Sequence, residues 1–166
     1  MRNKSRSIAH AALIAALYVV LTHFQNLLLP GSASWAIQFR AAEALCVLAL
    51  LTPAAVPGLT IGCLLFNLSF SGALPLDPIL GTGATLLATW GMYLTRKVTV
   101  KGYPLLAMLM PALCNAFLVG WELEIYMGGG FWLNAMYVAI GEAAVLLTLG
   151  SVLFYTLKNS PIRRYL

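Results

Sequence analysis

Arg40 and Glu43 are the residues on which any chemistry in this chain would centre. They stand three apart within Trp35-Ala-Ile-Gln-Phe-Arg-Ala-Ala-Glu-Ala-Leu-Cys-Val-Leu48, an otherwise largely apolar run. On a helix that spacing puts guanidinium and carboxylate on one face, near enough to pair. An ionisable side chain at membrane depth is costly and marks a functional site by default. The structural alternative is an ion pair that holds two helices in register. Glu142 is the second such signal. It follows Trp132 by ten residues of mostly apolar sequence, about 15 Å along a helix. A carboxylate at that depth must be paired, hydrogen-bonded or neutralised.

The remaining polar residues are sparse enough to name. Asn67 ends one apolar run and Asp77-Pro78 opens the next. Asp followed by Pro suits a helix start, with Asp77 as cap and Pro78 at the first helical position, so capping alone would account for Asp77. Asn115 follows Pro111 by four residues. It is placed either to satisfy the carbonyl that the proline frees or to face a ligand. Glu122 and Glu124 lie in a stretch that runs into Gly128-Gly129-Gly130, and Asn134 and Tyr137 follow. His23, close to Gln25 and Asn26, suits packing or hydrogen bonding better than metal ligation.

These residues need a scaffold, and the composition says which kind. The chain has 166 residues, 61% hydrophobic and 9% charged, with a mean hydropathy of +0.87. Soluble domains carry about 25% charged residues, so the sequence reads as an all-α integral membrane protein. One transmembrane domain over residues 1–166 accommodates a bundle of six helices, with spans near 8–29, 36–51, 59–70, 78–95, 103–121 and 131–157. The first run, Ile8 to Leu29, is long enough to span and is read as a retained helix rather than a signal peptide. Pro53–Gly58 reads as a tight turn, and Glu122–Gly130 as an acidic loop. Ala11 with Ala15, and Ala12 with Ala16, form small-xxx-small pairs that let helices approach closely or dock onto a partner.

The net charge of +5 does not point to nucleic acid. Its cations cluster at Arg2/Lys4/Arg6, Arg96/Lys97/Lys101 and Lys158/Arg163/Arg164, each beside an apolar run, which is the positive-inside pattern. With six spans, both termini and all three clusters face the cytoplasm. Arg40, Glu43, Asn67, Asp77 and Glu122 then gather at the outer side, as a solute-capturing site would require. Cys46, Cys63 and Cys114 are isolated and read as buried thiols. There is no phosphate loop, HExxH or GxSxG motif, and no metal or cofactor is expected. Nor is there the inverted, broken helix pair of a self-contained secondary transporter. A solute-binding membrane protein without an engine needs a partner that has one.

In this arrangement the chain resembles the substrate-binding S components of energy-coupling factor (ECF) transporters. Ile37-Gln-Phe-Arg-Ala-Ala-Glu-Ala-Leu45 is similar to the QxRxxEAL signature of the QueT family. So are Ile61-Gly-Cys-Leu-Leu-Phe-Asn67, Leu76-Asp-Pro-Ile-Leu-Gly-Thr82, Asn115-Ala-Phe-Leu-Val-Gly120 and Ala139-Ile-Gly-Glu142. The resemblance implies a multi-pass protein of the bacterial cell membrane, not an enzyme. It implies a transmembrane T component and two ABC ATPases as partners, docking at Ala11, Ala12, Ala15 and Ala16. The implied substrate is a queuosine-related 7-deazaguanine, queuine or a precursor base.

Such a base shows two adjacent donors beside a carbonyl acceptor. A carboxylate accepts from both donors, and an amide donates to the carbonyl. Glu43, Glu122 or Glu142 would grip the donor edge, and Asn67, Asn115 or Asn134 would supply amides. Arg40 would orient Glu43. Trp35, Trp121 and Tyr137 offer stacking faces, Gln38 and Asp77 complete the candidate set, and Pro30–Trp35 would form a lid. The alternatives are an S component for another vitamin or nucleobase, an intramembrane enzyme using Glu43 or Glu142 as acid or base, and a non-catalytic structural membrane subunit.

Overall fold

In the computed structural model the described residues are 2–30, 39–70 and 72–161, and they are helical almost throughout. Helix α1 is Arg2–Leu28, with its polar residues confined to the two ends. Its inward face runs through Ile14, Ala15, Tyr18, Thr22 and Gln25, the three- and four-residue spacing of one helical stripe. Leu13, Val20 and Phe24 lie on the outside. The chain then forms a ten-residue 3-10 helix, Ala41–Leu50, followed by α2 (Ala55–Ser69), α3 (Asp77–Thr95) and α4 (Leu105–Met127). Helix α5 (Phe131–Val145) passes through a π-helical turn, Leu146–Gly150, into α6 (Ser151–Asn159). Helices α1, α4 and the continuous Phe131–Asn159 rod are each long and apolar enough to cross a membrane.

A cluster of charged residues lies inside a largely apolar core, and much of the outer surface is apolar as well. Arg40, Glu43, Asp77, Glu122 and Glu142 are buried, while Leu68, Ile79, Leu94, Phe117, Trp132 and Val152 are exposed. Water would penalise that outer surface; lipid does not.

The 3-10 helix is the axis of the bundle. It packs against every other helix and the π turn, and all its residues from Ala42 to Leu50 are buried. An element enclosed on all sides has no use for an amphipathic stripe, which is why its sequence is apolar all round apart from Glu43. The sequence suggested an α-helical span over residues 36–51; the segment instead closes i→i−3 bonds, such as Glu43 N to Arg40 O at 2.9 Å. At about 2.0 Å rise per residue rather than 1.5 Å, ten residues reach about 20 Å instead of 15 Å.

Other boundaries shift for identifiable reasons. Pro57 is tolerated in the first turn of α2, so that helix begins within the expected turn. Leu76, not Asp77, is the N-cap of α3, and Asp77 instead accepts a bond from the Leu74 amide at 2.9 Å. Helix α4 continues through Pro111 and takes in Glu122 and Glu124, so the acidic loop shrinks to the three glycines, all at positive φ.

Helices α1 and α2 meet through small residues. A Cβ on Gly58 would lie 2.7 Å from the Ala11 carbonyl oxygen, and one on Gly62 would lie 2.9 Å from that of Ala15. Ala11 and Ala15 therefore serve packing within this chain, whereas Ala12 and Ala16 face outward. Gly62→Val is expected to destabilise the protein by about 1–3 kcal/mol through overpacking. Unfolding in mixed micelles would measure the loss, and an unchanged midpoint would show that the two helices can separate freely.

Candidate functional site

The polar side chains converge because five helical elements bring them to one end of the bundle. Arg40 immediately precedes the 3-10 helix and Glu43 lies in its first turn, Asn67 closes α2, Asp77 opens α3, and Glu122 lies near the end of α4. Glu142 enters from α5, opposite Asn115 of α4.

Arg40 is the cation of this cluster. Its guanidinium lies 3.8 Å from the Asp77 carboxylate, with both residues buried. Glu43, Glu122 and Glu142 are also within its electrostatic reach. Four carboxyl groups thus lie within electrostatic range of one guanidinium. Arg40 and Glu43 were expected to pair across one helical turn. The recorded close pair is Arg40 with Asp77, since Arg40 precedes the helix in extended conformation. Glu43 is held instead by the Tyr18 hydroxyl at 2.6 Å and the Cys46 thiol at 3.1 Å. Gln25 fixes the start of this element, accepting from the Ala41 amide at 2.6 Å and donating to the Phe39 carbonyl.

Glu142 accepts from Asn115 Nδ2 at 3.1 Å through one oxygen only. Its other oxygen and the Asn115 carbonyl are buried without a hydrogen-bond partner among the described residues, while Glu122 is buried against the Asp77 carboxyl. Buried polar atoms in folded proteins are nearly always satisfied, so a group of unsatisfied acceptors around Arg40 is the mark of a site that receives donors.

The other candidates divide plainly. Asn67 is occupied in tying α2 to α3, donating to the Asp77 carbonyl at 2.9 Å. Asn134 is likewise occupied, donating to the Gly128 carbonyl and to Glu124. Both act in holding the frame. Trp121 is 53% exposed: with Glu122 facing inward, the 100° step of the helix turns its neighbour toward the outside, so Trp121 does not stack within this cluster. Tyr137 is half-buried on α5. Trp35, Gln38 and the expected lid after Pro30 lie outside the described residues. His23 meets Ser69 Oγ at 3.1 Å and the edge of Phe66, as a packing residue.

Tyr18, Gln25 and Cys46 were not identified as site residues from the sequence. Tyr18 and Gln25 carry a readable signal, since both fall on the buried stripe of α1 at seven-residue spacing. Cys46 carries none beyond standing three after Glu43.

No curated protein and no solved structure matches the chain. Residues 8–159 match the family described as QueT transporter. That match covers nearly all of a chain whose exterior is largely apolar and whose interior holds Arg40 and four carboxyl groups, and the protein is a member of the QueT transporter family.

Proposed function

We propose that this protein is the substrate-binding S component of an ECF-type ABC importer. It takes up a queuosine-related 7-deazaguanine, queuine or a precursor base, from the outer side of the bacterial cell membrane. The observation that carries the reading is the pair of buried, unsatisfied acceptors on Glu142 and Asn115, in one cluster with Arg40 and the Glu122–Asp77 carboxyl pair. A planar base with adjacent N–H donors supplies what they lack, and Asn115 stands beside Glu142 to help read the same edge. Tyr18 and Cys46 hold Glu43 in place rather than Arg40 alone. The bundle spans the membrane six times with both termini cytoplasmic, which puts the basic clusters inside and this site outside.

The energy comes from partners: a transmembrane T component and two ABC ATPases. Their dock is the groove of about 330 Å³ lined by Ser7, Ile8, Ala11, Ala12, Pro57 and Ile61 at the basic end of α1 and α2. Ala12→Trp is expected to prevent assembly with the T component while leaving solute binding intact, since Ala12 faces outward. Normal co-purification and uptake by that variant would remove the docking assignment.

The test of the function is thermal unfolding of the purified protein with queuine, its precursor bases, guanine and a vitamin panel. A ligand at a hundred times its Kd stabilises by about 2.7 kcal/mol, a readily measured shift. Stabilisation by deazaguanines alone supports the reading; stabilisation by a different compound keeps the architecture and discards the substrate.

A further inference from the structure

We propose that the basic end of the bundle carries a second binding site, a pocket for the phosphate headgroup of an anionic phospholipid. The inference rests on the membrane orientation proposed above, which places this end at the inner leaflet. A cavity of about 180 Å³ opens there between Arg96 and Lys158, with Thr99 at its side and Leu50, Leu51 and Phe154 among its walls. It lies at the far end of the 3-10 helix from Arg40, so it is separate from the solute site.

The pocket's cations have no acidic side chain to answer them. The five acidic residues of the chain are Glu43, Asp77, Glu122, Glu124 and Glu142, and none occurs in 78–121 or 143–166, the stretches that supply Arg96, Thr99 and Lys158. None lines the cavity. Both cations are thus left to an external anion as far as acidic side chains are concerned. Arg96 is also held in a defined pose. Its guanidinium carbon lies over the Tyr93 ring, 3.7 Å from the centroid, and the group donates to the Tyr93 carbonyl. A guanidinium has five N–H donors in a planar fork suited to phosphate oxygens. Lys158 sits 5.5 Å from the centre of the Phe154 ring and adds a point charge on the other side.

The surroundings favour a lipid over a free anion. Tyr103 and Tyr155 stack beside the pocket at 6.2 Å, and Tyr103 also meets the edge of Phe154. Tyrosines of this kind mark the headgroup level of a bilayer. The apolar walls and the exposed Val152 and Leu105 nearby in sequence give acyl chains a surface to follow. Basic pockets between transmembrane helices on the cytoplasmic side are a recurring form of anionic-lipid recognition.

Native mass spectrometry tests this on the full chain, released from nanodiscs of equal phosphatidylcholine and phosphatidylglycerol. The wild type is expected to retain phosphatidylglycerol selectively. Arg96→Gln with Lys158→Gln should weaken that retention by about thirtyfold. Lys97→Gln with Lys101→Gln removes the same charge from outside the lining and should leave retention near wild type. If the pocket pair does not fold, as judged by thermal unfolding, Lys158→Gln alone serves, because Lys158 is exposed. Equal loss in the two double variants would overturn the site in favour of diffuse attraction. Equal retention of the two lipids would overturn it, and so would inorganic phosphate displacing phosphatidylglycerol at millimolar concentration.

Discussion

Arg40→Met is expected to cost about 3–5 kcal/mol of stability, the largest single loss of any change considered. The reason is asymmetric. Arg40 and Asp77 are 6% and 8% exposed, so neither charge has bulk water to fall back on. Removing the cation leaves Asp77, together with Glu43, Glu122 and Glu142, around a methionine. Only one Asp77 oxygen keeps a backbone donor, from Leu74. The partner substitution tests the cause. Asp77→Asn retains an oxygen for the Leu74 amide and removes the charge, so Arg40→Met with Asp77→Asn should recover much of the loss. Unfolding of the four proteins in mixed micelles gives the coupling directly. Additive effects would mean that the 3.8 Å pair is incidental and that Arg40 is held by other groups.

That pair also shows what the sequence could and could not reveal. Arg40, Glu43 and Glu142 were visible because charges are rare in an apolar chain, whereas Glu122 was read as part of an acidic loop and its burial depends on α4 continuing to Met127. The direction of Arg40 was not visible, because it depends on the chain being extended at residue 40 and turning into a 3-10 helix at Ala41. Local spacing describes an α-helix; enclosure by all the other helices selects the tighter form, and enclosure is a tertiary fact. The π turn at Leu146–Gly150 is hidden for a similar reason. Its Gly150 closes on Val47 and Met108, where a Cβ would stand 3.3 Å from the valine, and nothing in Leu-Leu-Thr-Leu-Gly announces that contact.

The alanines give the complementary lesson. Two overlapping small-residue pairs read identically along the sequence, and their roles separate only when α2 is laid against α1. Gly58 and Gly62 receive Ala11 and Ala15, which leaves Ala12 and Ala16 outward. The asparagines separate in the same manner. Asn67 and Asn134 spend their donors on backbone carbonyls at helix ends, while Asn115 turns across to Glu142. A proline-freed carbonyl in α4 was the competing destination for Asn115, and the recorded bond goes to the carboxylate.

Glu142→Gln is expected to cut the stabilisation that a deazaguanine gives to about half or less while leaving the unliganded protein nearly unchanged. Glutamine keeps an oxygen for Asn115 Nδ2, the one bond Glu142 accepts, so the fold loses little. For a ligand the change is large. Hydrogen bonds to a charged group contribute about 1.5–3 kcal/mol, so replacing the carboxylate should weaken binding by about 10- to 150-fold. At a ligand concentration a hundred times the wild-type Kd, the stabilisation should then fall from about 2.7 to between about 1.4 and 0.3 kcal/mol. Glu122→Gln should behave alike, because the glutamine amide can donate to the Asp77 carboxylate that Glu122 meets. Glu124→Gln is the control: that side chain is committed to the Gly130 amide and Asn134, glutamine keeps an oxygen for both, and neither stability nor the ligand response should change much. If Glu142→Gln and Glu122→Gln both retained the full shift, the buried carboxylates would be locks between helices. If only one did, the donor edge of the base would be assigned to the other.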